Sequence, residues 1–150
     1  MTKFYSKTFN ELTTLELYTL LKLRVDVFVV EQDCPYEELD GLDMHDETRH
    51  ILGYDNNELV AYARCLAPKT SYQNSAAIGR VLVKQSHRGK GLAQAVVSLA
   101  KDICASHFSG VGIEISAQCY LVDFYLAQGF KVEGEQYLED GIPHIHMITN

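Results

Sequence analysis

Apolar residues along the chain follow two periods. In "TTLELYTLLKLRVDVFVVEQ", residues 13 to 32, Leu17, Leu20, Leu21, Val25 and Phe28 recur at helical spacing. Thr13 and Glu16 have the spacing of a capping box, in which each side chain receives a hydrogen bond from the other's backbone N–H. The β-branched run from Val25 to Val30 lowers helical propensity, so a break or a second short helix is expected near Val29. "GLAQAVVSLAKDICASHF" places Leu92, Val96, Leu99 and Ile103 on one helical face and predicts about four turns. "CYLVDFYLAQ" is a third helix, stopped by Gly129 at a left-handed C-cap.

The remaining apolar runs are strands. "KFYSKTF" predicts a short edge strand. "RHILGYDNNELVAYARCLAP" reads as a hairpin turning at Asp55-Asn56-Asn57, residue types that tolerate the left-handed conformations of tight turns. "AAIGRVLV" and "VGIEISA" are further strands, and "FKVEGEQYLED" and "PHIHMIT" pair around a turn at Asp140-Gly141. The loop "DCPYEELDGLDMHDE" is punctuated by Pro35 and Gly41. The order is β-α-(α)-β-β-β-α-β-α-β-β. Consecutive strands outnumber helices, so the fold class is α/β of the α+β kind, a mixed sheet flanked by helices rather than a regular doubly wound sheet.

Composition narrows this picture. At 150 residues, 47% hydrophobic and 22% charged, the chain suits one globular domain spanning 1–150. No apolar run approaches a membrane span and the start lacks the pattern of a secretory signal, so a cytoplasmic protein without a membrane partner is expected. Cys34, Cys65, Cys104 and Cys119 form no CxxC pair and read as reduced thiols. His45 among acids matches no ligand spacing, so no metal is expected.

A net charge of −7 weighs against nucleic acid. Its distribution says more. Ten acidic residues and one basic residue, Arg49, lie between Glu31 and Glu58, whereas Leu59 to Lys101 holds seven basic residues and no acid. Two ligands of opposite sign would suit such an asymmetry.

The acid-free segment contains "HRGKGLA". A P-loop and a dinucleotide fingerprint both fail there, because Gly91 follows Lys90 and Gln94 stands where a third glycine belongs. Arg88-Gly89-Lys90-Gly91-Leu92-Ala93 does satisfy [Q/R]xxGx[G/A] between a strand and a long helix. Helix N-termini leave N–H groups unpaired and carry partial positive charge, so this turn can seat phosphate.

With "FYLAQGF" at residues 124 to 130, the turn resembles that of the GNAT N-acetyltransferase superfamily. "VFVVEQDCPYEELDGLD", "RHILGY" and "DGIPHI" are similar to its bacterial ElaA-type group. The resemblance spans nearly the whole chain. It implies a mostly antiparallel central sheet flanked by helices, acetyl-CoA as co-substrate, and direct acetyl transfer to a primary amine in a ternary complex. Val81, Leu82 and Val83 would pair with the pantetheine arm. Arg88, Gly89, Lys90, Gly91, Leu92, Ala93 and Gln94 would hold the pyrophosphate. Tyr125 would be the general acid, and Gln118 would stand where the superfamily often has an asparagine.

The base is open among Glu114, Glu31, His50 and His144. Glu114 faces away from Ile113 and Ile115 on its strand, and Arg80 lies near where some relatives carry a glutamate base. Arg24, Glu31, Asp40, Asp43, His50 and His144 are the expected acceptor residues. The acidic segment suggests a cationic acceptor such as a polyamine, an amino sugar or a lysine side chain. Two alternatives are a non-catalytic acyl-CoA-binding module and an enzyme like the acyl-homoserine-lactone synthases, the latter prompted by "LRVDVFVVEQ". An exposed "PHIHMIT" strand is expected to be able to pair across a homodimer.

Overall fold

The computed structural model describes residues 1–149. β1 (Thr2–Lys7) leads into α1 (Thr14–Val25), whose start is the predicted capping box. Thr13 Oγ1 accepts from the Glu16 N–H at 3.0 Å, and Glu16 Oε1 accepts from the Thr13 N–H at 2.9 Å. The same carboxylate holds Lys7 of β1 at 2.7 Å, which ties the helix to the strand before it. Of the break or second short helix expected near Val29, the structure has the second: a short segment of different winding. α1 continues into a π-helical turn, Asp26–Glu31, because wider winding relieves crowding in the β-branched run without ending the helix. The buried stripe is also shifted from the predicted one: Leu20, Leu23, Arg24 and Val27 point inward, and Leu17, Leu21, Val25 and Phe28 flank them.

β2 (Arg49–Asp55) and β3 (Glu58–Leu66) form the predicted hairpin, with Asn56 and Asn57 both at positive φ, as a two-residue turn of this kind requires. β4 (Ser75–Val83), α2 (Leu92–His107), β5 (Gly112–Gln118) and α3 (Val122–Ala127) follow. The predicted strand "FKVEGEQYLED" is two short pieces, β6 (Lys131–Val132) and β7 (Tyr137–Glu139), before β8 (Ile142–Ile148). The sheet runs β1-β2-β3-β4-β5-β8-β6, with β7 also on β8, and is antiparallel except between β4 and β5. β8 is therefore interior, with β5 on one side and β6 and β7 on the other. The expectation that "PHIHMIT" could pair across a dimer is corrected, since both its edges are already bonded.

Helices cover both faces. Ile51 points to the side of α2 and α3, into the core that also holds Val96, Ala100, Ile115 and Met147; its neighbour Leu52 points to α1, into the core that holds Leu20, Leu23 and Tyr62. With both faces covered, every residue of β3 from Leu59 to Leu66 is buried. Among the described residues no helix is long and apolar enough to cross a membrane.

The site is created by one irregularity. β4 and β5 pair in parallel only at Ser75–Ala77 against Gly112–Glu114. Beyond those residues they diverge, and a cleft of about 660 Å³ opens between them.

Candidate active site

β4 borders the cleft with a bulge. Tyr62 opposes Leu82 and Arg64 opposes Gly79, so two residues, Arg80 and Val81, stand against Ala63. Arg80 adopts φ +53, a left-handed conformation rare outside glycine and asparagine. A bulge re-aims the residues that follow it. Val81, Leu82 and Val83 all line the cleft, on an edge with no strand partner past Ala77. The Val83 carbonyl is already engaged, accepting from Arg88 Nε at 2.9 Å.

Past Val83 the chain turns into α2. Gly89 and Gly91 both have φ +80, and Gly91 is the helix N-cap with no side chain to cap it. A Cβ at either glycine would meet open space, so left-handed backbone rather than crowding requires glycine here. Among the described residues, the N–H groups of residues 89 to 94 find no acceptor; the first bonded one is Ala95, to the Gly91 carbonyl at 3.1 Å. Six consecutive free donors and a first helical turn without acids form a cradle for an anion. Gly89, Leu92 and Ala93 line the cleft, whereas Lys90, Gly91 and Gln94 lie outside its wall. The Arg88 guanidinium, expected at the pyrophosphate, is held by Glu31 at 2.7 and 3.0 Å. Glu31 is thus a partner of the turn.

α3 brings Tyr125 to the cleft wall. The ring packs edge-on to Phe124 and Phe130, with centroids 5.0 and 5.8 Å away. Burial, followed by the neighbouring Tyr120, pushes its phenol up to about 12. No described residue hydrogen-bonds its hydroxyl. Gln118, at the end of β5, also lines the cleft, and its Nε2 donates to Gln32 Oε1 at 3.4 Å.

Behind the bulged side of β4, side chains replace backbone. Arg24, fully buried, donates to Glu38 from Nε at 2.9 Å and to Asp43 from Nη1 at 2.6 Å. Arg64 grips both oxygens of Asp40, at 2.9 and 2.8 Å, and reaches Asp43 at 3.1 Å. Arg80 Nε stands 2.6 Å from Glu38 Oε1, off the line of its N–H, and its Nη2 donates to the Glu38 carbonyl at 3.0 Å. Three arginines and three carboxylates therefore clamp the acidic loop to the sheet. Burial pushes Asp40 and Asp43 up, but the arginines outweigh it and hold both below the usual carboxylate value.

Arg24 and His50, expected as acceptor residues, do not reach the cleft. Arg24 is in the buried clamp. His50 is fully buried with both ring nitrogens engaged, Nδ1 2.6 Å from the Tyr62 hydroxyl and Nε2 3.0 Å from the Asp43 carbonyl. A carbonyl only accepts, so Nε2 carries the proton and Tyr62 donates to Nδ1. Burial lowers the pKa of this histidine and keeps it neutral. Asp43 is buried too, whereas Asp40 reaches the cleft wall while bound to Arg64. Glu31 and His144 line the cleft. His144 Nδ1 donates to the Ile142 carbonyl at 2.7 Å, and Nε2 stands 3.4 Å from Glu139.

Glu114 does face the cleft, on the same side of β5 as Ser116 and Gln118. Its Oε1 lies 2.7 Å from His146 Nε2. Reasoning from sequence missed His146, Ser116, Arg64 and Tyr72, the last three of which line the cleft. The strand period was a usable signal: Ser116 falls between Glu114 and Gln118, and His146 is two residues from His144.

Residues 18–150 match the family model described as acetyltransferase (GNAT) domain. Protein ElaA of Escherichia coli K12 is 45% identical over 138 residues, covering 92% of this chain and 90% of that protein. The crystal structure of Escherichia coli ElaA superposes with a TM-score of 0.94 at 41% identity over the full length of both chains. An acyl-CoA N-acyltransferase from Pseudomonas aeruginosa superposes with a TM-score of 0.95 at 39% identity, again over both full lengths. With the open β4–β5 pair and the donor-lined turn, these matches establish that the chain belongs to the GNAT acetyltransferase family, enzymes that take their acyl group from coenzyme A.

Proposed function

We propose that this N-acetyltransferase moves an acetyl group directly from acetyl-CoA to a primary amine on a cationic acceptor, a small molecule or a lysine side chain, within a ternary complex. One observation carries the reading: a single cleft is lined by part of an anion cradle, by the Glu114 carboxylate, and by a phenol with no hydrogen bond among the described residues.

The residues fit acyl-CoA. The free N–H groups of 89 to 94 would hold the pyrophosphate, and the unpaired edge at Val81, Leu82 and Val83, with Gln118 opposite, would hold the pantetheine arm. Bound there, acetyl-CoA supplies a thioester carbonyl open to attack. Glu114 takes a proton from the incoming ammonium group and so frees its lone pair. Tyr125 keeps its proton at neutral pH, since burial sets the phenol near 12, and gives it up only as charge develops on the departing sulfur.

The preference for a cation has a different source from the acidic loop. Glu31, Glu38, Asp40 and Asp43 are neutralised by arginines. Glu114 from β5, Glu139 at the end of β7 and Asp140 in the turn after it supply the negative lining.

The test is release of free coenzyme A thiol with putrescine, spermidine, glucosamine and a lysine peptide as acceptors, run beside calorimetry of acetyl-CoA binding. Turnover with at least one of these amines supports the proposal. Binding without turnover would make the protein an acyl-CoA-binding module, and absence of binding would remove the acyl-CoA reading altogether.

A further inference from the structure

Two groups that suit the pantetheine arm are already engaged by the protein's own side chains. Val83 lies opposite Ala61, and the Lys84 N–H beside it donates to the Val60 carbonyl at 2.7 Å. A bond in that position flanks a non-hydrogen-bonded pair of an antiparallel ladder. The Val83 carbonyl therefore turns away from β3, toward the edge that has no strand partner past Ala77. An amide N–H of an arm lying along this edge would donate to it. In the free protein Arg88 Nε takes that place, donating at 2.9 Å. The guanidinium is held from its other end as well, because Nη1 and Nη2 donate to the two oxygens of Glu31 at 2.7 and 3.0 Å. Glu31 closes the π-helical turn after α1, and Glu31, Val83 and Arg88 all line the cleft. The residue after it reaches the opposite wall, where Gln32 Oε1 accepts from Gln118 Nε2 at 3.4 Å. Residues 31 and 32 thus touch both walls of the groove.

Arg88 also begins the donor-lined turn, next to the free N–H groups of residues 89 to 94. A carboxylate gripped by a guanidinium uses the same fork that would grip a phosphate, so Glu31 holds the place of an anion. The pair is weak, with side chains 41% and 38% exposed, and such pairs change an equilibrium by about fivefold at most. A pyrophosphate brings more charge and also gains the free N–H groups.

We propose that Arg88 is a two-position latch on this groove. Held by Glu31, it covers the Val83 carbonyl; drawn to the pyrophosphate, it uncovers that carbonyl for the arm. The pair selects coenzyme A thioesters over thioesters of the same arm without phosphate, since only the former carry an anion that takes Arg88 from Glu31. No covalent bond changes. Glu31 acts through Arg88 and is a positioning residue. The inference rests on the acyl-CoA reading.

The test is calorimetric titration of acetyl-CoA and of S-acetylpantetheine, which has the arm but no phosphate, into wild type, Arg88→Met and Glu31→Gln. Methionine keeps an unbranched stem and donates nothing to Val83. The latch predicts changes of opposite sign in Arg88→Met. Acetyl-CoA, which loses a phosphate contact, binds about fivefold more weakly, and S-acetylpantetheine, which finds the carbonyl uncovered, binds about threefold more tightly. Glu31→Gln frees Arg88 and tightens acetyl-CoA about threefold. A residue that merely supported the turn would weaken both ligands together. S-acetylpantetheine bound no better by Arg88→Met than by wild type, or undetected with both, overturns the latch. So does a Glu31→Gln protein whose acetyl-CoA affinity is unchanged or weaker. Either result leaves the acyl-CoA reading standing while wild type binds acetyl-CoA. A wild type that does not bind acetyl-CoA overturns that reading and the latch with it.

Discussion

Two parts of the cleft are made of different materials. The turn between β4 and α2 is backbone: free N–H groups, two left-handed glycines and no side chain at the cap. The other is side chain: Arg64, Arg80 and Asp40 in the cleft wall, backed by the buried Arg24, Glu38 and Asp43, with Glu114 in the wall from β5. A backbone cradle forms whenever one short segment folds, and it offers the same donors whatever lies elsewhere. A side-chain wall depends on residues 14 to 24 positions apart arriving together, as the pairs Arg24–Glu38 and Arg64–Asp40 do. The difference separates what each part can lose: the side-chain part fails by unfolding and the turn by weaker binding.

The largest expected effect lies in the clamp. Arg24→Met leaves Glu38 and Asp43 buried and short of their partner, a type of change that costs about 3–5 kcal/mol. Urea denaturation should show that loss, and acetyl-CoA affinity measured on the fraction still folded should be unchanged. A stable Arg24→Met protein would break the contrast between the two parts.

Acid should undo the same clamp gradually. His50 has a folded pKa below 6.5 and Asp40 and Asp43 have folded values below 3.8, so in each case the unfolded chain binds the proton first. Stability is then fully present above 6.5, begins to fall as pH drops below it, and falls more steeply below 3.8. Thermal melting across that range checks the sign. A protein that became more stable between 6.5 and 4 would contradict it.

Tyr125→Phe comes next. Losing a general acid costs about 10²-fold or more in turnover, and the phenol makes no hydrogen bond among the described residues to lose. Steady-state kinetics should show the fall in kcat, and the acetyl-CoA Kd should stay at the wild-type value. The smallest effect belongs to the turn. Gly91→Ala places a Cβ on a residue at φ +80, a strain of about 1 kcal/mol, with no neighbour to clash with. The free turn can relax away from φ +80 and binding must restore it, which should weaken acetyl-CoA about fivefold without abolishing it, as calorimetry would read.

Local rules made one part readable in the sequence and hid the other. The Thr13–Glu16 box, the turn at Asn56-Asn57, the glycine turn and the stop at Gly129 each depend on residues within about four positions of one another, and all appear as expected. The misread segments depended on distant partners. The second short helix expected near Val29 came as a wider turn continuous with α1, a form the local run does not dictate, because packing on β3 retained it. β8 became interior because β6 and β7 cover its outer edge. Arg24 sits four residues after Leu20 on the buried stripe, and only carboxylates 14 and 19 residues later make that placement tolerable. The cleft itself follows from two strands that stop pairing after three residues, which no periodicity in either strand records.

The measurement that bears most directly on a cleft of two parts is calorimetric titration of acetyl-CoA into wild type, Tyr125→Phe and Gly91→Ala under one set of conditions. The account predicts that wild type and Tyr125→Phe bind with the same Kd and that Gly91→Ala binds about fivefold more weakly. Absence of binding to wild type, or a Gly91→Ala affinity equal to wild type beside a weakened Tyr125→Phe, would contradict it.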